Sequence, residues 1–238
     1  MIVSQFREVQ IGPCRLICAD CRDVLPTLPK VDAVVTDPPY GIGENHTKVA
    51  SRANVASPRD YGAFSWDTKP IDKTTVDAMR GMSKWQVIFG GNYFELPPTS
   101  CWLIWDKKTT GDFADCEMAW TNLPKAVRRI EWLWNGMIRK GDDIRIHPTQ
   151  KPLGVMKWVL AHLPAECASI VDPFMGSGTT VCAAIDAKYD TIIAVESDQA
   201  MFDKACKRIQ QAWDLKCSEL PFEEPPKLVQ RGLLDNDL

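Results

Sequence analysis

The sequence has no long apolar segment. None of its 238 residues lies in a run that approaches the roughly 20 apolar residues of a membrane-spanning helix. Residues 1–12 also contain no apolar core of the kind found in secretory signals. We therefore expect a protein without membrane contact, located in the cytoplasm.

The cysteines do not form an even set. There are nine, and several of them, such as Cys18, Cys101 and Cys182, lie within apolar stretches. An odd number in apolar surroundings favours reduced thiols over a disulfide framework, which agrees with a cytoplasmic location. The remaining composition, 45% hydrophobic and 25% charged, is typical of one globular domain.

The sequence also lacks an overall positive charge. Its net charge of −3 argues against a uniformly basic surface for nucleic acids. The charge is unevenly distributed, however. Residues 125–151 contain seven basic and three acidic residues, a local charge of +4, whereas residues 214–238 have a local charge of −3. A basic central segment can face phosphate groups while the tail carries the acidic residues.

The stretch VDAVVTDPPY, residues 31–40, joins a strand to a group of polar and aromatic residues. Its first part is short, apolar and β-branched, which predicts a buried strand of an α/β sheet. Two prolines follow Asp37, and they leave the carbonyl groups of Asp37 and Pro38 free to accept hydrogen bonds. Tyr40 adds an aromatic face at the carboxyl end of the strand, where open α/β sheets bind ligands. The arrangement suits a flat base with an exocyclic amino group; the alternative is a simple strand-ending turn.

Residues 169–180, SIVDPFMGSGTT, predict a second site. A strand ends at Asp172, Gly176 and Gly178 let the backbone approach a ligand, and a helix begins near Thr179 with free N–H groups. Glu196 ends the next strand, at the distance from which an acid binds ribose hydroxyls. The pattern predicts an adenosine-containing cofactor. The alternative is a tight turn for helix packing, and neither a P-loop nor the third glycine of an NAD fingerprint is present.

The hydrophobic periodicity predicts alternating strands and helices around these two sites. Strands are predicted at residues 14–20, 31–35, 86–91, 100–106, 168–171 and 191–195, and helices at residues 71–85, 151–163, 179–187 and 198–213. Residues 117–121 and 127–134 are expected to form a hairpin. The polar residues 41–69 follow the first site directly and predict a functional loop.

Three motifs together resemble the amino-group DNA methyltransferases, which act on adenine N6 or cytosine N4. They are Asp37-Pro38-Pro39-Tyr40, residues 174–179 (FMGSGT) and residues 147–152 (HPTQKP). Their order is similar to that of the circularly permuted β group, and the resemblance spans residues 11–213. It implies an α/β fold: a Rossmann-like, mostly parallel seven-stranded sheet with helices on both faces, which binds S-adenosylmethionine. The expected organisation is one domain over residues 1–213, with a catalytic half at 11–135, a cofactor half at 147–213, a DNA-facing insert at 41–69 and a tail at 214–238.

The resemblance also implies roles for individual residues. Asp37 and the Pro38 carbonyl would accept the two amino hydrogens of a base flipped out of double-stranded DNA, and Tyr40 would stack on that base. Asp172 and the glycine turn would hold the methionine part of the cofactor, with Lys151 closing over its carboxylate. The complete catalytic set is Asp37, Pro38, Pro39 and Tyr40. The complete cofactor set is Asp20, Cys21, Asp37, His147, Thr149, Gln150, Lys151, Asp172, Phe174, Gly176, Ser177, Gly178, Thr179, Thr180 and Glu196.

Target recognition is expected from residues 41–69 and from the basic segment, because the interval before the HPTQKP motif is short for a recognition domain. The expected DNA contacts are His46, Lys48, Arg52, Arg59, Arg128, Arg129, Arg139 and Lys140. In this family Asp-Pro-Pro-Tyr occurs mostly with adenine, and Ser-Pro-Pro-Tyr or Ser-Pro-Pro-Trp mostly with cytosine N4, so adenine is the expected base. A bacterial, archaeal or phage-infected cell is the implied setting. A homodimer and a cognate restriction enzyme are left open.

Other interpretations compete with an adenine methyltransferase, and no metal is expected in the favoured one. They include a cytosine-N4 enzyme, a catalytically silent DNA-binding subunit, and an enzyme that methylates nitrogen in RNA or protein. Cys14, Cys18 and Cys21 have the spacing of radical S-adenosylmethionine enzymes, which bind an iron–sulfur cluster through three thiolates. Alternation of Cys14 and Cys18 along a predicted strand argues against such a cluster.

Overall fold

Nine strands form one sheet in the computed structural model, which describes residues 6–42, 70–108, 114–135, 138–139 and 150–219. The strands are β1 (Arg7–Ile11), β2 (Cys14–Cys18), β3 (Val31–Thr36), β4 (Ser83–Phe89), β5 (Trp102–Asp106), β6 (Cys116–Thr121), β7 (Arg128–Glu131), β10 (Ser169–Asp172) and β11 (Thr191–Glu196). Two further short strands, β8 (Trp134–Asn135) and β9 (Ile138–Arg139), pair separately.

The strand order is β1-β2-β11-β10-β3-β4-β6-β5-β7. Every pairing between β2 and β4 along this order is parallel. β6 is antiparallel to both β4 and β5, and β1 is antiparallel to β2. The expected mostly parallel sheet is therefore present, with nine strands in place of seven because β1 and β7 extend its two edges.

Helices cover both faces of the sheet, as expected. They are α1 (Cys21–Val24), α2 (Lys73–Gly81), α3 (Leu153–Leu160), α4 (Thr179–Asp186) and α5 (Gln199–Glu219). Alternate residues of β10 enter different cores: Ile170 joins a core with α3, α4 and α5, whereas Val171 joins a core with α1 and α2. This alternation is the period of two of a strand buried on both faces. None of the helices in the described part of the chain combines the length and apolarity that crossing a membrane requires.

Several element ends differ from the predictions. The helix expected at residues 71–85 ends at Gly81, and Trp85 instead lies in β4, where it pairs with Ala33 of β3. The helix expected at residues 198–213 continues to Glu219. Helix α3 begins after Pro152, because a proline disfavours helical geometry at the residue before it, and it ends at Leu160 rather than at Leu163.

The hairpin expected between residues 117–121 and 127–134 does not form. β6 and β7 lie on opposite sides of β5, with β6 antiparallel and β7 parallel to it. A hydrogen bond from Trp105 Nε1 to the carbonyl oxygen of Trp132, 2.8 Å long, joins β5 to the residue after β7. Sequence neighbours thus flank a third strand, a pairing that local patterns do not predict.

The parallel direction brings several chain segments to one edge of the sheet. The carboxyl ends of β2, β3, β10 and β11 lie at this edge, followed by Asp20, by Asp37 and by the two sites predicted from the sequence. β6 runs the opposite way, so its first residues, Cys116 and Glu117, reach the same edge. The predicted functional residues at the ends of β2, β3, β10 and β11 therefore all lie at this edge of the sheet.

Candidate active site

A cavity of about 780 Å³ opens at the carboxyl edge of the sheet. Its volume is within the range of small-molecule sites. Side chains from both predicted sites line it, together with residues from the beginning of α2. The lining includes Asp20, Cys21, Asp37, Pro39, Pro70, Asp72, Gln150, Lys151, Asp172, Phe174, Gly176, Ser177, Thr179, Thr180 and Glu196.

The two glycines of the turn after β10 have different surroundings. Both have positive φ, +51° at Gly176 and +77° at Gly178. A β-carbon on Gly176 would meet no atom within 4 Å, so this glycine faces the open cavity. A β-carbon on Gly178 would lie 2.8 Å from Ile209 Cδ1 of α5. Gly176 therefore keeps the cavity open, while Gly178 allows α4 and α5 to pack closely.

Glu196 holds the glycine turn from the end of β11. Its Oε2 accepts a hydrogen bond from the Gly176 backbone N–H at 2.9 Å, and its Oε1 accepts one from Asp198 N–H at 2.8 Å. Burial raises the pKa of Glu196, although both N–H groups favour the ionised form. Glu196 lines the cavity, and a carboxylate oxygen can accept more than one hydrogen bond, so a hydroxyl group of a ligand is a suitable further donor.

Asp172 is a buried carboxylate with neutral donors around it. Thr36 Oγ1 donates to its Oδ1 at 2.7 Å, and the Phe174 N–H donates to the same oxygen at 3.1 Å. The Thr180 side chain is a third donor, so the groups that bond this carboxylate in the described part of the chain are hydroxyls and a backbone N–H, none of them charged. Burial raises the pKa of Asp172 to about 6, because these donors only partly replace water. The site is suited to a cationic ligand group.

Asp20 and Cys21 line the cavity at the point where β2 leads into α1. Asp20 caps this helix: its Oδ1 accepts the Arg22 N–H at 2.9 Å, and its carboxylate also pairs with the Arg22 guanidinium. Hydrogen bonding from Arg22 lowers the pKa of Asp20, so this acid stays ionised. Burial raises the pKa of Cys21 to about 12, which leaves it as a neutral thiol in the cavity wall.

Asp37 lies directly after β3, with a partner on each carboxylate oxygen. Tyr40 donates its hydroxyl hydrogen to Oδ1, and the Lys151 ammonium group lies 2.5 Å from Oδ2. Burial raises the pKa of Asp37 in spite of the opposing charge of Lys151. Pro38 is buried and Pro39 lines the cavity, so the motif presents its acidic side chain toward the ligand space.

Lys151 has a second carboxylate partner that the motifs did not predict. Glu117 Oε2 lies 2.9 Å from its ammonium nitrogen, and Lys107 Nζ lies 2.6 Å from Glu117 Oε1. Burial opposes the ionisation of Glu117, but the two ammonium groups outweigh it and lower its pKa to about 2. Lys151 was expected to face the cofactor carboxylate; it lines the cavity but is paired with Asp37 and Glu117.

The ring of Tyr40 is held by other aromatic residues. It stacks on Tyr93, with ring centroids 5.1 Å apart and an angle of 17° between the planes. Phe94 contacts it edge to face at 6.3 Å. Tyr93 is 47% exposed. A Tyr40–Pro70 bridge joins the two ends of the insert beside this motif.

Five further residues predicted to bind the cofactor line the cavity: Gln150, Phe174, Ser177, Thr179 and Thr180. Gln150 is buried beside Lys151, and Phe174 and Thr180 line the wall. Arg208 of α5 donates to the Ser177 carbonyl oxygen at 3.0 Å and to Thr179 Oγ1 at 2.9 Å, so it anchors the turn from behind. His147 and Thr149 lie outside the described residues.

The predicted DNA contacts are described only in part. Arg128 and Arg129 are exposed on the edge strand β7. The guanidinium of Arg129 pairs with Asp106 at 3.4 Å and with Glu131 at 2.6 Å, which offsets its charge. The backbone of Arg139 belongs to β9. His46, Lys48, Arg52, Arg59 and Lys140 lie outside the described residues.

The three cysteines with iron–sulfur spacing do not face one another. Cys14 packs in the core beneath α3, α4 and α5, whereas Cys21 packs in the core on the other face of the sheet. Cys18 is partly buried against the first of these cores. Three thiolates divided between two faces cannot bind one cluster, so the radical-enzyme interpretation is excluded.

Sequence reasoning missed the residues that support the site from other elements. Thr36 could have been found, since it ends the strand that leads into Asp37. Glu117 and Lys107 carried no comparable signal, because only the order of β4, β6 and β5 brings them to Lys151. Arg22 and Asp72 also line the cavity, and they lie at the beginnings of α1 and α2, which the sequence predicts only weakly.

The chain is similar to known DNA methyltransferases in sequence and in fold. A family model of N6/N4-type DNA methylases matches residues 100–207. The type II methyltransferase M.HinfI from Haemophilus influenzae is 30% identical over 161 residues, which are 63% of this chain and 44% of that relative. The chain thus spans less than half the length of this curated relative.

Two solved structures share the fold. The M1.HpyAVI–SAM complex is 21% identical with a TM-score of 0.52, covering 82% of this chain and 99% of that chain. The PvuII cytosine-N4-specific DNA methyltransferase is 13% identical with a TM-score of 0.51, covering 88% and 94%. These likenesses confirm the Rossmann-like methyltransferase fold. The motifs and the family match over residues 100–207 support the resemblance to the amino-group DNA methyltransferases.

Proposed function

We propose that this chain transfers the methyl group of S-adenosylmethionine to the N6 amino group of an adenine flipped out of double-stranded DNA. The observation that carries the proposal is the position of Asp37. Its carboxylate lines the same cavity as Asp172, Gly176 and Glu196. One cavity therefore contains both an acceptor for an amino group and the groups suited to an adenosine-containing cofactor.

The residues of the cavity suit S-adenosylmethionine. Asp172 is a buried acceptor for a cationic amino group, and Glu196 can accept hydrogen bonds from ribose hydroxyls. Gly176 leaves room where any side chain would enter the cavity. Asp20 and Cys21 would border the adenine ring. When bound, the cofactor supplies a methyl group carried on a positively charged sulfur.

Asp37 and its neighbours would act on the target base. Asp37 and the Pro38 carbonyl group would accept the two amino hydrogens, which directs the nitrogen lone pair out of the plane of the base. Tyr40 would stack on the base and offset part of the cost of unstacking it. Its hydroxyl already donates to Asp37, so the carboxylate and the ring are oriented by the same contact. Catalysis would then rest on positioning and electrostatics.

The choice of adenine over cytosine rests on the family resemblance. The family resemblance associates Asp-Pro-Pro-Tyr mostly with adenine, and Asp37 occupies the first position of that motif. Tyr40 and Pro70, the residues on either side of residues 41–69, form a β-bridge with each other. A DNA-facing insert would therefore begin and end next to the target base. His46, Lys48, Arg52 and Arg59 would then supply phosphate contacts, with His147 and Thr149 on the cofactor side.

Long-read sequencing with modified-base detection tests this function. The chain would be expressed in bacteria that lack their own DNA methyltransferases, beside an Asp37→Ala control. We expect N6-methyladenine at a defined short sequence, absent from the control. N4-methylcytosine would overturn the choice of base and leave the amino-group reaction. No modified base in DNA, with folded protein present, would contradict the proposal.

A further inference from the structure

One ammonium group is shared between two carboxylates beside the target site. Lys151 Nζ lies 2.5 Å from Asp37 Oδ2 and 2.9 Å from Glu117 Oε2. Lys107 then pairs with the other oxygen of Glu117 at 2.6 Å. The four charged side chains form a row in which negative and positive charges alternate, and each side chain comes from a different segment of the fold.

This row of charged side chains is largely shielded from water. The Lys151 side chain is only 8% exposed, and its ammonium nitrogen lies 4.9 Å from the centroid of the Phe89 ring. The side chains of Glu117 and Lys107 are 24% and 20% exposed. Charges this close interact strongly where solvent screening is weak. The position of one ammonium group therefore governs both carboxylates.

We propose that Glu117 is a positioning residue that sets the acceptor strength of Asp37 by sharing the ammonium group of Lys151 with it. The inference rests on the proposed role of Asp37 at the target amino group. Glu117 itself lies behind Lys151 and touches neither the base nor the cofactor in this assignment. No motif identifies it.

To accept amino hydrogens well, Asp37 must be ionised and must also keep part of its negative charge uncompensated. Neither burial alone nor Lys151 alone produces this state. Burial by itself would protonate the carboxylate, and a protonated acid accepts amino hydrogens poorly. A lysine devoted wholly to Asp37 would keep it ionised but weaken it as an acceptor. Glu117 draws part of the ammonium charge away, and Lys107 keeps Glu117 ionised.

Two other groups face Asp37 and belong to the same balance. Tyr40 donates its hydroxyl hydrogen to Oδ1, and Asp172 of β10 adds a second negative charge nearby. Both groups remain in place when the charge of Glu117 is removed by substitution. That removal should lower the pKa of Asp37, because one negative neighbour is lost and Lys151 is released toward Asp37.

Carboxyl carbon NMR of the ligand-free protein measures this directly, with the Asp37 signal assigned by its loss in Asp37→Asn. In the unmodified protein we expect Asp37 to titrate above the ordinary aspartate value of about 3.9. In Glu117→Gln its titration should move down by about one pH unit. Glu8→Gln is the matched control, since Glu8 is 25% exposed and paired with Arg15 far from the site. An unchanged or raised Asp37 titration in Glu117→Gln overturns the inference.

Single-turnover methylation gives an independent readout. The acid limb of the rate profile should move to lower pH in Glu117→Gln, and its plateau should fall, whereas Glu8→Gln should match the unmodified protein. If the unmodified protein methylates DNA and Glu117→Gln has the same profile, this inference fails and the function stands. If Glu117→Gln does not fold, Glu117→Ala takes its place with the same expected downward shift of the Asp37 titration, and an Asp37 pKa at or below about 3.9 in the unmodified protein contradicts the proposed sharing by itself.

Discussion

Gly90 leaves space for the ring of Tyr40. It follows β4 with φ +64°, and a β-carbon built on it would lie 2.1 Å from Tyr40 Cε1. The residue after the Asp-Pro-Pro sequence is therefore positioned by a glycine fifty residues away in the chain. The aromatic ring and the backbone of the neighbouring strand end fit together only without a side chain at this point.

We expect Gly90→Ala to impair methylation by displacing Tyr40. The substitution also places alanine in the left-handed region, which costs about 1–2 kcal/mol of stability. DNA methylation should fall at least tenfold, while cofactor binding measured by calorimetry should be nearly unchanged, because Gly90 does not line the cavity. Gly81→Ala is the control: a β-carbon there meets nothing within 4 Å, so activity should be kept. Equal activity of the two variants would contradict this account of Tyr40.

The two glycines of the cofactor turn should separate binding from stability. Gly178→Ala should lower the thermal midpoint more, because its β-carbon would press on Ile209 as well as strain the backbone. Gly176→Ala should lower cofactor affinity more, because its methyl group would enter the cavity. Thermal unfolding and calorimetry of both variants check the contrast. If Gly176→Ala lowered the thermal midpoint more and Gly178→Ala lowered the cofactor affinity more, the assigned roles of the two glycines would be wrong.

Cofactor affinity should depend on the ionisation of Asp172. Its pKa of about 6 in the ligand-free protein is above the ordinary value, so the carboxyl is neutral at low pH and attracts a cation only after it loses its proton. The affinity should therefore rise between pH 5 and pH 7. In Asp172→Asn the affinity should be low and nearly independent of pH, whereas Asp37→Asn should keep the dependence. A flat profile in the unmodified protein would exclude Asp172 as the partner of the cofactor ammonium.

DNA affinity should fall steeply with salt if the basic segment contacts phosphates. Arg128→Ala should reduce the slope of log affinity against log salt by about one. Arg129→Ala should change it less, because Asp106 and Glu131 already offset this charge. Fluorescence anisotropy with labelled duplex DNA at several salt concentrations measures both slopes. A salt-independent affinity would mean that DNA binds to another surface.

The sequence was informative where structure is local. The strands before Asp37 and Asp172 and the helix after Gly178 follow from short apolar runs bounded by proline and glycine, and the structure has them at those places. Cavity-lining residues at strand ends could be predicted for the same reason, since parallel strands bring their carboxyl ends to one edge of the sheet.

The sequence was uninformative where distant strands meet. Nothing local indicates that β6 inserts between β4 and β5, and this order alone brings Glu117 to Lys151. The same non-local pairing explains why the expected hairpin of β6 and β7 was wrong. The sharing of Lys151 between two carboxylates is thus a property of sheet topology, which residue spacing does not reveal.

The most direct test of the account is methyl transfer by purified Asp37→Asn. Tritiated S-adenosylmethionine and unmethylated bacterial DNA would be used, with cofactor affinity measured in parallel and Asp77→Asn, an exposed helix substitution, as control. We expect Asp37→Asn to lose at least a hundredfold in rate, in the range of removing one electrostatic contact to a transition state, about 10²–10³, while cofactor affinity stays within a few-fold of the unmodified protein. Methylation at the unmodified rate in Asp37→Asn would contradict the central role of this carboxylate.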